Sequence, residues 1–598
     1  MKFDFTKYTN IYCADFETST DNWNVEEARV WLWDICDNKF NHKNGNSLDS
    51  FMNFVIKFAN NSLYCFRNLA YDGTYIISWL LNNGYKWTNN DEKFMPNKSF
   101  NTVISDIGSH YAYMVKNDIG NKVTFMDSLK YVNMSIEKSA QAYKLPIKKG
   151  TIDYDEIREL NHKPTKDELE YIHNDTEIDM HTIILNMKEG AVKFTQAGNA
   201  RNEFKKSLGK AEYEYLFPEL DSNIDKYLRK AYVGGFVSHN EKYTNKVLYN
   251  MISLDINSMY PAQMLHRPMP FGYPEGFSGK YAYDEKYPLY IQKIRCCYKL
   301  KKNGIAMIAT RRAFLNKENS YSTSSDNNVI ELTLANPDLE LFFDNYDVYN
   351  IEYVGGFKFQ ARSGYEVTPE EAESLSVDEV IEKDGKGSYF YEYIKKWRYI
   401  KEHEPSGSPA RDYAKRMQNA LYGAMATNPD RRTSVPYLDE EGKVKYNIIN
   451  AKDKGSACYL PAGIFITSWS RYFLIKTINK FYNIFVYCDT DSLYLKGNKA
   501  PAELAVHNSL YGFFKIEHKI SMFKVIGSKR YIYWGREPNQ IQDKFYVTCC
   551  GADEDIKKQI NFHNFNRGKE FYGKKSVHNV KGGKHIRITT YRLGKESA

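Results

Sequence analysis

Cysteine is scarce in this 598-residue chain: there are nine, including the adjacent pairs Cys296-Cys297 and Cys549-Cys550, and no Cys-x-x-Cys. Neither a disulfide framework nor a zinc site is indicated, and a reducing cytoplasm is the simpler expectation. No apolar run approaches the roughly 18 residues of a membrane span and no signal peptide is visible, so no membrane partner is expected. Internal repeats and long low-complexity linkers are lacking too; the polar stretches 322–328 and 384–388 read as short loops. Charge imbalance is small, a net +8, which suggests an anionic partner without requiring one. The chain does have length and apolar content, 42% of its residues, enough for several domains with cores of their own.

The most informative stretch is 485–495, Phe-Val-Tyr-Cys-Asp-Thr-Asp-Ser-Leu-Tyr-Leu. β-Favouring arms flank Asp489 and Asp491, which predicts a hairpin whose tip presents acids to a divalent cation. Alone, the spacing says little: Asp153/Asp155 and Asp553/Asp555 share it, and most such pairs are solvated turn residues. A second apolar strand end raises its value, because Leu254-Asp-Ile-Asn-Ser-Met-Tyr-Pro261 delivers Asp255 just before a proline-marked turn. Two such strand ends can hold two Mg²⁺ ions about 3.5–4 Å apart for phosphoryl transfer, and magnesium suits a few carboxylates completed by substrate phosphates. Next, the segment 410–421 follows Pro405, Gly407 and Pro409 and runs unbroken to Gly423, which predicts a helix ending there. Arg411, Lys415 and Asn419 recur every fourth residue and Tyr422 follows, so the four share one face. Cations for phosphates beside an amide and a flat ring suit a nucleoside triphosphate; a solvated basic face gives the same pattern in isolation.

Taken together, Asp255-Ile-Asn-Ser-Met-Tyr-Pro, Lys415-Arg-Met-Gln-Asn-Ala-Leu-Tyr-Gly and Tyr487-Cys-Asp-Thr-Asp-Ser resemble, in order and length, the palm and fingers motifs of the family B DNA polymerases. The resemblance implies that Asp255 and Asp491 hold the metals, that Asp489 supports them, and that Arg411, Lys415 and Lys401 grip the incoming triphosphate. Arg411 stands where related enzymes often carry lysine, keeping the charge but replacing an ammonium with a planar fork. Tyr260, by the family pattern, lies beneath the sugar of the incoming nucleotide and would clash with a 2′-hydroxyl. A packed tyrosine is the plain alternative in a chain with 49 of them.

Near the N-terminus, Ile11-Tyr-Cys-Ala-Asp15-Phe-Glu17-Thr is a short strand ending in two acids on one face. Asp175/Glu177 and Asp338/Glu340 share that spacing, so its meaning comes from Asn68-Leu-Ala-Tyr-Asp72-Gly and Tyr171-Ile-His-Asn-Asp175. Thr165 and Glu168 fit a capping box that starts a helix near Pro164, which sets Tyr171 and Asp175 one turn apart. Four carboxylates and a tyrosine hydroxyl can hold two metals and orient a water. These segments resemble the proofreading 3′–5′ exonuclease motifs of the same family. Asp127-Ser-Leu-Lys and Lys148-Lys149-Gly150 look like its protein-primed members: Lys149 would neutralise the scissile phosphate, Ser128 and Leu129 would hold the frayed primer end, and Asn68 would contact DNA.

The length also resembles the compact protein-primed branch, with two insertions that dock a terminal protein and encircle DNA. The second carries 436–446, a polar turn between alternating runs and hence a β-hairpin. By the same resemblance Tyr232, Gly234, Gly235, Thr467 and Arg471 contact DNA, and Lys529 and Tyr531 hold the primer terminus. From Lys557 to Lys595 eleven Lys and Arg face only Glu570, with Phe562, Phe565, Phe571, Tyr572 and Tyr591 interleaved. The alternation Ile586-Arg587-Ile588 predicts folded, duplex-gripping strands rather than a disordered tail.

The expected fold is therefore α/β and α+β multidomain: a ribonuclease-H-like exonuclease (1–195), a palm in two parts (196–266 and 454–550), insertions at 267–388 and 430–453, fingers (389–429) and a thumb (551–598). The expected protein is a monomeric, cytoplasmic, protein-primed and strand-displacing DNA polymerase with a 3′–5′ exonuclease. Its expected partners are primer-template and single-stranded DNA, dNTPs and a terminal protein, with two Mg²⁺ per active site, Mn²⁺ fitting the same oxygens. A compact polymerase starting from ordinary primers, or a catalytically silent DNA-binding relative, are the competing expectations.

Overall fold

Alternation explains the first sheet. In the strand Asn10–Thr18, Ala14 and Phe16 face a core containing Phe51 and Phe66, which leaves Asp15 and Glu17 on the opposite face. A computed structural model describes residues 4–89, 94–310, 321–430, 432–450 and 458–594. Within it this strand lies in an eight-stranded mixed sheet. The order is His42–Gly45, Val30–Asp37, Asn10–Thr18, Ser62–Phe66, Lys122–Asp127, His110–Lys116, Ser99–Ile104 and Lys86–Trp87. The helix Lys166–Lys188 crosses the acid-bearing face, and the capping box on Thr165 and Glu168 is present. Burial there is compensated by bonding: Glu168 also accepts from Arg158 and His162, and although its burial works the other way, these bonds bring its pKa down to about 2.

A second, seven-stranded antiparallel sheet runs Lys544–Cys549, Arg530–Arg536, Phe514–Gly527, Val247–Ile256, Ser492–Lys496, Phe485–Asp489, Val237–His239. The expected hairpin is there, closed by the pair Asp489/Ser492 with Thr490 at φ 61° in its tip. The helix Leu460–Lys480 backs this sheet through Leu474, Ile475 and Ile478.

The helix Pro409–Met425 is longer than its sequence predicts. Gly423 is not its end, because Leu421, Ala424 and Met425 are buried against neighbouring helices and this packing carries the chain another half-turn. The region 267–388 contains a four-stranded sheet ordered Met269–Ser278, Tyr346–Arg362, Leu289–Leu300, Ile330–Ala335; residues 311–320 lie outside the described residues.

Two hairpins complete the chain. Arg432–Leu438 pairs with Val444–Asn450, as the polar turn predicts; residues 431 and 451–453 of that insertion lie outside the described residues. Glu570–Val580 pairs with Gly583–Arg592, so the C-terminal basic segment is folded up to Gly594; Lys595 lies outside the described residues. Both hairpins reach the first sheet. Thr433 and Ser434 donate to the carbonyls of Ile104 and Ser105 at 3.2 and 2.9 Å, and the Ala28 amide donates to the Lys581 carbonyl at 2.8 Å. They also meet each other, where Asn579 donates to the Val444 carbonyl at 2.9 Å. Among the described residues all nine cysteines are free thiols, and no helix is long and apolar enough to cross a membrane.

Candidate active sites

Asp255 ends the central strand Val247–Ile256, opposite Ser492 of the hairpin, and the Ile256 amide donates to the Asp491 carbonyl at 2.9 Å. Pairing therefore fixes Asp255 and Asp491 side by side. Burial, then the charge of Asp491, then Glu517 push Asp255 up to about 8; burial and the charges of Asp489 and Glu517 raise Asp491 too, with Lys415 opposing. Carboxylates held together against this repulsion form a ready divalent-cation site. Glu517, in the neighbouring strand Phe514–Gly527, escapes sequence reading. Its only signal is the alternation Phe514/Ile516 against Lys515/Glu517, and only pairing with the Asp255 strand gives that meaning.

Asp489 is positioned differently from the expectation. Its carboxylate takes Lys529 Nζ at 2.8 and 2.6 Å, so in this structure it anchors a lysine expected at the primer. Tyr531, also expected there, is half-buried and shares a 3.1 Å hydrogen bond with Tyr494.

Lys415 and Asn419 are exposed on the helix Pro409–Met425, on the face that Arg411 begins. The Arg411 guanidinium donates to the carbonyls of Lys401 and Glu404 at the end of the helix Tyr391–His403, which ties the two helices together. Lys401 Nζ reaches Ser258 Oγ at 3.2 Å, beside the Asp255 strand end. Tyr260 stacks on Tyr422 with centroids 3.9 Å apart, which brings together two rings expected at the nucleotide.

Gly234 and Gly235 are exposed, and the structure gives a reason for the second glycine. A Cβ on Gly235 would lie 2.6 Å from Thr490 Oγ1, and the Thr490 amide donates to the Phe236 carbonyl at 2.7 Å. Gly235→Ala is expected to displace the catalytic turn and slow primer extension about tenfold, the scale of overpacking by one methyl, while primer degradation is unchanged. Gly235→Ala with Thr490→Ala should recover most of the loss; an unaffected single variant would refute the contact.

Burial corrects three expected DNA contacts. Thr467 is fully buried within the helix Leu460–Lys480, where its hydroxyl donates to Gly463 and Ile464 carbonyls. Arg471 is buried in a bidentate pair with Asp338 and donates to the carbonyls of Val233 and Gly234, so it braces the glycine segment from below; Tyr232 is half-buried beside it. Ser128 is buried and donates to Asp179 Oδ2 at 2.6 Å, whereas Leu129 is partly exposed and Asn68 exposed at φ 80°.

The second cluster assembles on the first sheet. Asp15 and Glu17 from the strand, Asp72 from the helix Leu69–Asn82 and Asp175 from the helix Lys166–Lys188 come together here. Burial and Asp175 push Asp15 up to about 8, and burial and Asp15 push Glu17 and Asp72 well up. Lys149 pairs with Asp175, whose other oxygen is buried without a hydrogen-bond partner, and the Tyr171 hydroxyl bonds that of Tyr154 at 2.7 Å. An orphaned carboxylate oxygen among acids that burial discourages from ionising suits bound cations. Lys584, beside the turn of the C-terminal hairpin, escapes sequence reading: its ammonium donates to the Ala70 carbonyl and faces Asp72. Burial brings its pKa down to about 8, against the opposing pull of Asp72.

The sign of the pH dependence follows. Asp15 and Asp255 titrate near 8 in the folded chain against an ordinary 3.8, so each favours folding while protonated. That contribution is complete below about pH 4 and lost as pH rises through about 8. In chelator, Tm is expected to fall between about pH 5 and about pH 8, and Mg²⁺ or Mn²⁺ should restore more at the higher pH. A flat profile in chelator would contradict the shifts.

Comparison with known proteins identifies the family. The family model for DNA polymerase type B, organellar and viral, matches residues 52–192, 161–366 and 379–510. The DNA polymerase of Bacillus phage M2 is 36% identical over 595 residues, covering 96% of this chain and 97% of its own. Phi29 DNA polymerase solved with primer-template DNA and incoming nucleotide substrates superimposes with a TM-score of 0.86 at 34% identity, covering 98% of this chain and 100% of that one. The same polymerase solved with single-stranded DNA gives 0.87 at 33% identity, with the same coverage.

Proposed function

Because the chain belongs to the organellar and viral type B DNA polymerases, we propose that its two carboxylate clusters divide one task. The set at Asp255 and Asp491 extends a DNA primer, and the set at Asp15, Glu17, Asp72 and Asp175 removes a mispaired 3′ end. The protein is a DNA-directed DNA polymerase acting on primer-template and single-stranded DNA with deoxynucleoside triphosphates. The observation that carries the division of labour is two separate groups of acids, each raised by its own members.

The family is metal-dependent. Two Mg²⁺ at each cluster, with Mn²⁺ an alternative, would stabilise the entering and leaving oxygens of phosphoryl transfer. This chain's own groups then bind and orient. Lys415, with Lys401 and Arg411 behind it, meets the triphosphate, Asn419 lies on the same face, and Lys529 neutralises primer phosphate when released from Asp489. Tyr171 and Lys149 orient the water and scissile phosphate at the other site. Tyr260, packed on Tyr422, excludes a 2′-hydroxyl; Tyr260→Ala should lower the dNTP/rNTP preference at least about tenfold, on the scale of one steric contact. An unchanged ratio in single-turnover incorporation would remove that role.

By this reading 1–195 is the exonuclease, 196–266 and 454–550 the palm, 389–429 the fingers and 551–598 the thumb. Contact between the hairpins 432–450 and 570–592 on the exonuclease supports a closed ring around DNA. Such a ring favours strand displacement, and with the insertion 267–388 as a docking region it favours priming by a terminal protein in a bacterial host's cytoplasm. The test is extension of a primed single-stranded circle by the chain alone. Products many times the circle length are expected; products stopping at one length would overturn displacement, and a primer that only shortens would overturn synthesis.

A further inference from the structure

One helix serves three groups of side chains. Lys166–Lys188 turns Tyr171 and Asp175 toward the exonuclease acids and Asp179 toward Arg67 and Ser128, while His173, Thr176 and Glu177 meet Asp34 and His42 from two neighbouring strands. Asp34 is fully buried, opposite Asp15 in the sheet, yet among the described residues its ion-pair partners are two imidazoles. His42 Nδ1 lies 2.8 Å from Asp34 Oδ2 and His173 Nε2 lies 3.4 Å from Oδ1, an oxygen without a hydrogen-bond partner. The two rings stack with centroids 4.3 Å apart and 26° between planes.

We propose that Asp34, His42 and His173 bind one late first-row divalent cation, with Zn²⁺ the expected occupant. The three donor atoms lie within 4.8 Å of one another, and donors about 2.0–2.1 Å from a tetrahedral ion sit about 3.4 Å apart. Imidazole nitrogens select zinc, nickel or copper over magnesium, which prefers an all-oxygen set. The surroundings are those of a held ligand set. His42 Nε2 faces Glu177 Oε2 at 3.5 Å, the Thr176 hydroxyl donates to Asp34 Oδ2 at 2.6 Å, and the Asn44 amide lies 3.3 Å from His173 Nε2, where its carbonyl oxygen, turned over, is a fourth ligand. The ion would fasten the edge strand His42–Gly45 to the helix that carries Tyr171 and Asp175, and so position the exonuclease acids.

The test uses the full chain, stripped by chelator and titrated with Co²⁺ while the visible spectrum is recorded. Tetrahedral cobalt with nitrogen ligands absorbs intensely and cobalt held only by oxygens absorbs weakly, so the carboxylate clusters do not imitate the signal. One equivalent is expected to give the intense band. His42→Gln with His173→Gln should remove it while leaving primer extension unchanged, and Asp15→Ala with Asp72→Ala should keep it. Zn²⁺ should raise Tm by several degrees in the parent chain and not in the histidine variant. No intense band, or the same band in the histidine variant, would overturn the site. Should that variant fold poorly, His173→Asn alone must still weaken Co²⁺ binding at least tenfold, and unchanged binding would overturn the site equally.

Discussion

Asp255→Asn and Asp491→Ala are each expected to reduce primer extension by at least about 10³-fold, the scale on which loss of a preorganised charge at a phosphoryl-transfer centre acts, while degradation of single-stranded DNA continues. The two acids are not interchangeable with their neighbours. Asp255 is fixed by strand pairing against Ser492, and Asp491 by the turn around Thr490. A simple loss of folding is distinguishable, because burial raises both carboxylates and the charge of Asp491 raises Asp255 further, so removing either acid removes a penalty on ionisation. The variants should melt at or above the parent temperature in chelator at pH near 8. Loss of synthesis together with loss of degradation and a lowered Tm would refute the assignment.

The reverse pattern is expected of Asp15→Ala with Asp72→Ala: degradation of a mispaired 3′ end should fall by about 10³-fold or more, with extension of a matched primer within about twofold. Asp15 and Asp72 come from a strand and a helix that meet on the first sheet, far in the chain from Asp255; after burial, Asp175 is the largest charge raising Asp15, and Asp15 the largest raising Asp72. The double variant should therefore also gain stability in chelator at pH near 8. Measured mismatch extension should rise as removal fails. Persistent degradation would mean that Glu17 and Asp175 suffice, and equal loss of both activities in a folded variant would sink the two-site scheme.

Local pattern made much of this legible. The acid-bearing strand ends, the capping box at Thr165 and the hairpin around 436–446 are each written within about ten residues, where side-chain period and turn chemistry operate. Burial is not local, and local pattern does not report it. Ser128 and Thr467 sit in segments that resemble DNA contacts, yet their hydroxyls are spent inside the fold. Arg471 is claimed by Asp338, 133 residues away, and Gly423 lies inside its helix because the next turn is packed. Glu517 and Lys584 were invisible for the same reason: neither has a motif, and each acquires meaning from the acid that another segment brings beside it.

The sequence by itself determined the chemistry, because carboxylates at strand ends and cations along a helix face are set by residue order and period. The absence of cysteine motifs bears only on zinc sites with local spacing. Tertiary structure alone decided which polar groups face solvent and which serve the interior. It alone brought Lys529 to Asp489, closed the two hairpins on the first sheet, and gathered Asp34, His42 and His173 from two strands and a helix. Pairing across a sheet and packing of a helix on its face join residues whose separation along the chain carries no signal, and the free energy of those contacts comes from burial summed over the whole fold.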